Sequence, residues 1–108
     1  MDLNLIRVFV TVFEAANMTV AAERLHVTPS AISQSLSRLR AEFDDPLFER
    51  TGRGVRPTPL ASSVFPELRS ALVGIDRTLE GIHGFDAAST DRRFRVAVSE
   101  LGEIGWLP

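Results

Sequence analysis

The stretch Ala21-Ala22-Glu23-Arg24-Leu25-His26-Val27-Thr28-Pro29-Ser30-Ala31-Ile32-Ser33 decides the fold. Its first half suits a helix, and its second half opens another. Thr28 is a capping residue and Pro29 follows at the first helical position, where a missing N–H costs nothing. Two helices joined by so short a break make a helix-turn-helix. Three positions test that reading: Ala22, His26 four residues on, and Ile32 ten residues on. The first must be small, the second takes a positive φ, and the third is buried between the helices. Gly usually holds the middle place, and His is one of the tolerated substitutes. A core or surface His with ordinary backbone is the competing reading.

The helix opened by Pro29 is expected to run to about Phe43. Ile32, Leu36, Leu39 and Phe43 repeat with 4-3-4 spacing and mark its buried face. Ser30, Ser33, Gln34 and Ser37 group on another face, centred roughly 140° away at ~100° per residue. A merely solvated face would be better served by Glu or Lys, because Ser is a middling helix former. Hydroxyls and an amide donate and accept, so they match base edges and phosphates. Gln34 is the best candidate for reading a base, since Gln pairs bidentately with adenine. Ser33 and Ser37 suit bases or phosphates. Pro29 opens the helix, and beside it Thr28 and Ser30 can hold a phosphate at the N-terminus.

Upstream, residues 3–16 read as a helix. Leu3, Ile6, Val10 and Phe13 form one stripe, and Leu5, Phe9, Val12 and Ala16 a second. A helix apolar on two sides is covered on two sides. Asn17 stops it, and Thr19 is expected to N-cap a short second helix through Leu25. Downstream, Asp44-Asp45-Pro46 ends the third helix. Residues 47–50 and 55–57 are candidate strands around the turn Thr51-Gly52-Arg53-Gly54. Arg53, between two glycines, suits a wing tip entering the minor groove. Arg50 and Arg56 flank it as phosphate contacts. An Arg in a Gly turn is by itself a soluble loop; its position after a helix-turn-helix gives it a role.

Thr58-Pro59 repeats the cap-plus-proline signal and opens a long helix to about His83. Leu68, Leu72, Ile75, Leu79 and Ile82 are spaced 4-3-4-3, and Phe65 extends the stripe backwards. That period is a coiled-coil seam, so these six residues are the candidate dimerisation set. Pro66 should bend the helix, and Gly81 and Gly84 should bracket its end. Residues 86–93 read as a linker. Phe94-Arg95-Val96-Ala97-Val98 alternates like a strand, and Ser99-Glu100 looks like the start of a helix. These pieces cannot bury a core alone, so they read as the truncated start of a second domain.

The chain has 108 residues, no Cys and two His, which leaves no thiolate metal site and no disulfide framework. No segment has the length of apolar sequence a membrane span requires, and the N-terminus lacks signal-peptide character. A cytoplasmic protein without metal or cofactor fits. Net charge is −2, whereas nucleic-acid binders are more often basic, so any affinity for DNA must come from where the charges sit. All twelve basic residues are Arg, the better side chain for bidentate phosphate and guanine contacts. GC-rich codon usage would produce the same bias.

Residues 3–85 resemble the N-terminal region of the LysR-type transcriptional regulators. Ala21 to Val27, Ala31-Ile32-Ser33 and Pro46 to Val55 carry the resemblance. Phe43 to Phe48, with Phe94-Arg95-Val96-Ala97, resembles the subgroup of salicylate-responsive and nodulation regulators. The resemblance implies a winged helix-turn-helix whose linker helices pair antiparallel in a homodimer, tetramers in full-length members, and a C-terminal inducer-binding domain. It places DNA contacts on Thr28, Ser33, Gln34, Arg50 and Arg53, and matches Thr19 to a phosphate-contacting helix cap. Ser99 aligns with a position near the inducer carboxylate, in a pocket otherwise missing here. One departure stands out. The family commonly opens the third helix with Gln then Pro, whereas this chain has Pro29 then Ser30, so the usual Gln base contact is absent.

The expected architecture is therefore mainly α: a winged helix-turn-helix over 1–58, a linker and dimerisation helix over 59–85, and the start of an effector-binding domain over 86–108. The expected partners are a double-stranded DNA operator and a second copy, with a small-molecule inducer only in a full-length form. An enzyme is disfavoured, because the two His are not clustered and no Gly-rich phosphate loop follows a strand. A pure dimerisation adaptor would not need the serine-rich face or Arg53. A single-strand RNA reader would show stacking aromatics.

Overall fold

The computed structural model describes residues 1–85, with side chains as far as Ile82. In chain order the described elements are α1 (Leu3–Ala15), α2 (Met18–Leu25), α3 (Pro29–Phe43), β1 (Phe48–Arg50), β2 (Val55–Pro57) and α4 (Pro59–Phe85). The strands form an antiparallel hairpin in which Phe48 faces Pro57, Glu49 faces Arg56 and Arg50 faces Val55. The architecture is the mainly helical one expected, with one small hairpin.

The three positions of the turn behave as read. Ala22 is buried, His26 is left-handed at φ 56°, and Ile32 is fully buried. The His26 N–H donates to the Glu23 carbonyl and the Val27 N–H to the Ala22 carbonyl, so the last turn of α2 is closed on itself. Thr28 then caps α3 by accepting from the Ala31 N–H at 3.1 Å, with Pro29 next in line.

The two stripes of α1 are both covered except at Ala16, which is exposed and left-handed just past the end of the helix. Leu5, Val8, Phe9, Val10 and Val12 are buried. Phe9 touches the rings of Phe13, Phe43, Phe48 and Phe65, bringing α1, α3, β1 and α4 to one point. Burying such a ring stabilises by about 1.5–3 kcal/mol from area alone, so this cluster is the main apolar tie between the helices and the hairpin.

The long helix differs from the seam read in the sequence. Phe65 stacks on Phe13 with centroids 3.8 Å apart, Leu68 packs partly against the core, and Leu72 is buried within it. The first half of the stripe thus faces α1 of the same chain. Ile75, Leu79 and Ile82 stay partly exposed. A 3.5-residue period reports an apolar face and does not say whose surface covers it.

Other expectations are corrected. Asn17, not Thr19, caps α2: its side-chain oxygen accepts from the Val20 N–H at 3.0 Å. Thr19 lies one residue inside the first turn. Beginning the helix at Met18 puts Met18 on the same face as Ala21, Ala22 and Leu25, against the core. The first strand begins at Phe48 because Leu47 is left-handed at φ 64°, a conformation costing roughly 1–2 kcal/mol. Leu47 is held there by full burial, by its N–H on the Asp45 carboxylate at 2.8 Å, and by its carbonyl accepting from the Thr58 N–H. Gly81 and Gly84 both lie within the final turns of α4, which runs on to Phe85. The strand expected over 94–98 and the effector position Ser99 fall outside the described residues.

Candidate nucleic-acid interface

Ten residues were read as candidate DNA contacts: Thr19, Thr28, Pro29, Ser30, Ser33, Gln34, Ser37, Arg50, Arg53 and Arg56. All ten are exposed. On α3 the division is sharp, since Ile32, Leu36 and Leu39 are buried while Ser30, Ser33, Gln34 and Ser37 lie open to solvent. The helix that carries the polar face is thereby held rigidly by its opposite side.

Four of the ten meet in one place. Thr19, Pro29, Ser33 and Arg50 line an open cleft of about 350 Å³ between the helix-turn-helix and the hairpin, together with Asn17, Met18, Thr51, Gly52, Gly54 and Val55. The N-terminal turn of α2 faces this cleft. Asn17 occupies the Val20 and Ala21 N–H groups, while those of Met18 and Thr19 have no partner among the described residues and can meet an anion. Gln34, Ser37, Ser30 and Thr28 continue along α3 outside the cleft, and Arg53 and Arg56 lie farther along the hairpin.

Charge is concentrated at this surface although the chain is acidic overall. The segment 48–57 holds three Arg and one Glu. Arg56 makes a loose pair with Glu49 at 3.6 Å, both well exposed, a contact worth under about 1 kcal/mol. Arg50 and Arg53 pair with no acid among the described residues. Elsewhere Arg7 pairs with Asp76, Arg69 with Glu14, and Arg40 with the Pro46 carbonyl, whereas Arg24, Arg38 and Arg77, like Arg50 and Arg53, have no such partner among the described residues.

The hairpin tip is closed on itself. The Thr51 N–H donates to the Gly54 carbonyl at 2.8 Å, and the Gly54 N–H donates to Thr51 Oγ1 at 3.1 Å. The sequence reading missed Asn17 as part of this surface. Asn is a preferred capping residue, and that signal was present. Thr19, two residues on, carried the same signal and could not be ranked against it from spacing alone.

The geometry is that of a winged helix-turn-helix, and comparison with known proteins agrees. Residues 3–62 match the model of the bacterial regulatory helix-turn-helix proteins of the lysR family. The chain belongs to the LysR family. This helix-turn-helix is the DNA-binding domain of a LysR-type transcriptional regulator. The chain is 36% identical over 108 residues to the HTH-type transcriptional activator NahR of Pseudomonas putida, covering all of this chain and 36% of that protein. It is 37% identical over 100 residues to Nodulation protein D 2 of Rhizobium tropici, covering 93% of this chain and 32% of that one. It therefore spans about a third of the length of these curated relatives. Among solved structures, the DNA-binding domain of CbnR in complex with DNA superposes with a TM-score of 0.68 at 31% identity, over 82% of this chain and all of that one. The likeness to NahR and the nodulation protein agrees with the subgroup read from Phe43 to Phe48.

Proposed function

We propose that this LysR-family chain binds a double-stranded DNA operator as a homodimer and so regulates transcription. In this reading α3 lies in the major groove, where Gln34 reads a base and Ser33 and Ser37 contact bases or phosphates. Thr19, Thr28, Ser30, Arg50 and Arg56 hold phosphates, with Pro29 packing at the backbone, and Arg53 enters the minor groove. The observation that carries the reading is the cleft: the N-terminus of α2, Ser33 and Arg50, which has no acidic partner among the described residues, line it together. An anionic backbone seated there would lie across α3 and the hairpin together. The name of NahR, a transcriptional activator, supports a non-enzymatic role, and the CbnR complex supports DNA as the ligand class.

Dimerisation falls to α4. Ile75 and Leu79, with Ala71, Gly74 and Thr78, form an apolar surface along its outer face, and Ile82 continues it. A second α4 laid antiparallel would cover it. Residues 1–58 then serve as the reader, 59–85 as the linker helix and 86–108 as the opening of an effector-binding domain, with Ser99 in it. A tetramer and a small-molecule inducer belong to a full-length form, and the compartment is the cytoplasm. Among the described residues no helix is long and apolar enough to cross a membrane.

The test is selection of bound duplex from a random pool. Enrichment of a two-fold-symmetric site, with half-sites about 10 bp apart or a multiple of it, is the expected outcome. Recovery of unenriched DNA refutes the reading.

A further inference from the structure

We propose that Asn17 is the positioning residue of the wing, one side chain that caps α2 and also fixes where Arg53 is presented. The proposal rests on the reading that Arg53 contacts DNA. A hairpin with three residues in each strand is marginal alone, so the placement of its tip depends on what holds its flank. The flank is the junction between α1 and α2. Ala16 ends α1 in a left-handed conformation at φ 54°, and its carbonyl accepts the Val55 N–H at 2.9 Å. Asn17 Nδ2 donates to the Arg53 carbonyl at 3.3 Å while Asn17 Oδ1 holds the Val20 N–H. Between these two bonds sits Gly54, where a Cβ would collide with the Ala16 carbonyl. The tip, already closed by Thr51 and Gly54, is thus seated as a unit against the junction.

The residue type follows from the chemistry. Asp, Ser and Thr cap a helix as Asn does, by offering an acceptor. An amide supplies that acceptor together with an N–H donor on the same planar group. The same side chain therefore ties the N-terminus of α2, one wall of the cleft, to the backbone that carries the tip guanidinium. Phosphate seat and wing tip are set relative to one another through one residue.

The experiment uses the 108-residue chain and a duplex selected from a random pool by the unmodified protein. Asn17→Ser keeps a capping oxygen and removes the amide donor. The expected result is an unchanged thermal midpoint, binding weaker by about three- to tenfold, and no further loss when Asn17→Ser is added to Arg53→Ala. Unchanged affinity of Asn17→Ser overturns the proposal. So does an equal loss in both backgrounds, which would mark a role independent of Arg53. A lowered thermal midpoint that accounts for the lost binding overturns it in favour of capping alone. If Arg53→Ala by itself binds as the parent does, the minor-groove reading fails first, and the proposal falls with it.

Discussion

Arg7 on α1 grips Asp76 on α4 with both ends of its guanidinium, Nη1 to Oδ2 at 3.1 Å and Nη2 to Oδ1 at 2.9 Å. Two turns along, Glu14 Oε2 accepts from Arg69 Nε at 3.0 Å. Seven residues forward on α1 match seven back on α4, so the helices lie antiparallel in fixed register. The signs alternate between the two links, and a slide of two turns would set Arg7 against Arg69. Leu72 is buried between the two links, and about one turn beyond Arg69 on α4 Phe65 stacks on Phe13. This face of α4 is thereby fastened to the reader domain, and the direction in which α4 leaves it is fixed.

That pair carries a pH dependence whose sign can be stated. The hydrogen bond from Arg7 holds the Asp76 carboxyl below its ordinary range; burial opposes this, and the Coulomb attraction of Arg7 adds to it. A depressed carboxylate pKa contributes stability above the unfolded value, and loses it as pH falls through the folded one. Both side chains are about a third exposed, at 30% and 39%, so the contribution is at most about 1 kcal/mol. Asp76→Asn should lower the urea midpoint at pH 7, and its difference from the parent should shrink once the pH lies below the carboxylate range. A constant difference across pH would mean that Asp76 acts by packing.

The two wing glycines predict opposite outcomes. A Cβ on Gly52 meets nothing within 4 Å, whereas one on Gly54 meets the Ala16 carbonyl. Gly52→Ala should therefore melt as the parent does. Gly54→Ala must push β2 off the α1–α2 junction and break the Val55 to Ala16 bond, so DNA affinity should fall by about tenfold or more, with about 1–3 kcal/mol of stability lost. Equal behaviour of the two variants would show that the wing is not seated on that junction.

How far the sequence could be read depends on how local each signal was. Ala22, His26 and Ile32 were decisive because their roles are set within ten residues of one another. Thr28-Pro29 and Thr58-Pro59 likewise placed two helix starts. The competition between Asn17 and Thr19 turned on Met18 seeking the core, a contact with distant residues. Arg7 and Asp76 are 69 residues apart, and no local pattern links them. The stripe from Phe65 to Ile82 was legible as apolar, but its division between α1 and an open face was not, because spacing does not identify the covering surface.

That division makes a prediction about α4. Leu72→Ala removes a side chain buried in the domain core, and should cost about 2–4 kcal/mol in a urea melt. Ile75→Glu with Leu79→Glu alters the open face, and should leave the melt of the reader domain nearly unchanged while lowering the mass in sedimentation from dimer to monomer. The reverse pattern, or an unaltered mass, would remove α4 from the dimer interface.

Affinity and specificity should separate between Arg50 and Gln34. Arg50 lies in the cleft, carries an unshared charge among the described residues, and is placed by β1 rather than by α3. A guanidinium on a phosphate is blind to sequence, so Arg50→Ala should weaken selected and random duplexes by similar factors. It should also flatten the slope of log K against log salt by about 0.9. Gln34 is neutral, exposed on α3 and outside the cleft. Gln34→Ala should leave the salt slope unaltered and lose about 1–3 kcal/mol of discrimination at one base pair of each half-site. Measuring both variants on selected and scrambled duplexes over a salt series distinguishes the roles. If Gln34→Ala flattens the slope, or Arg50→Ala erases preference at a single position, the groove and backbone assignments must be exchanged. The absence of the family's usual Gln at the start of α3, where Pro29 and Ser30 stand, leaves Gln34 as the amide on the exposed face of that helix, so its removal should affect specificity more than any serine on the same face.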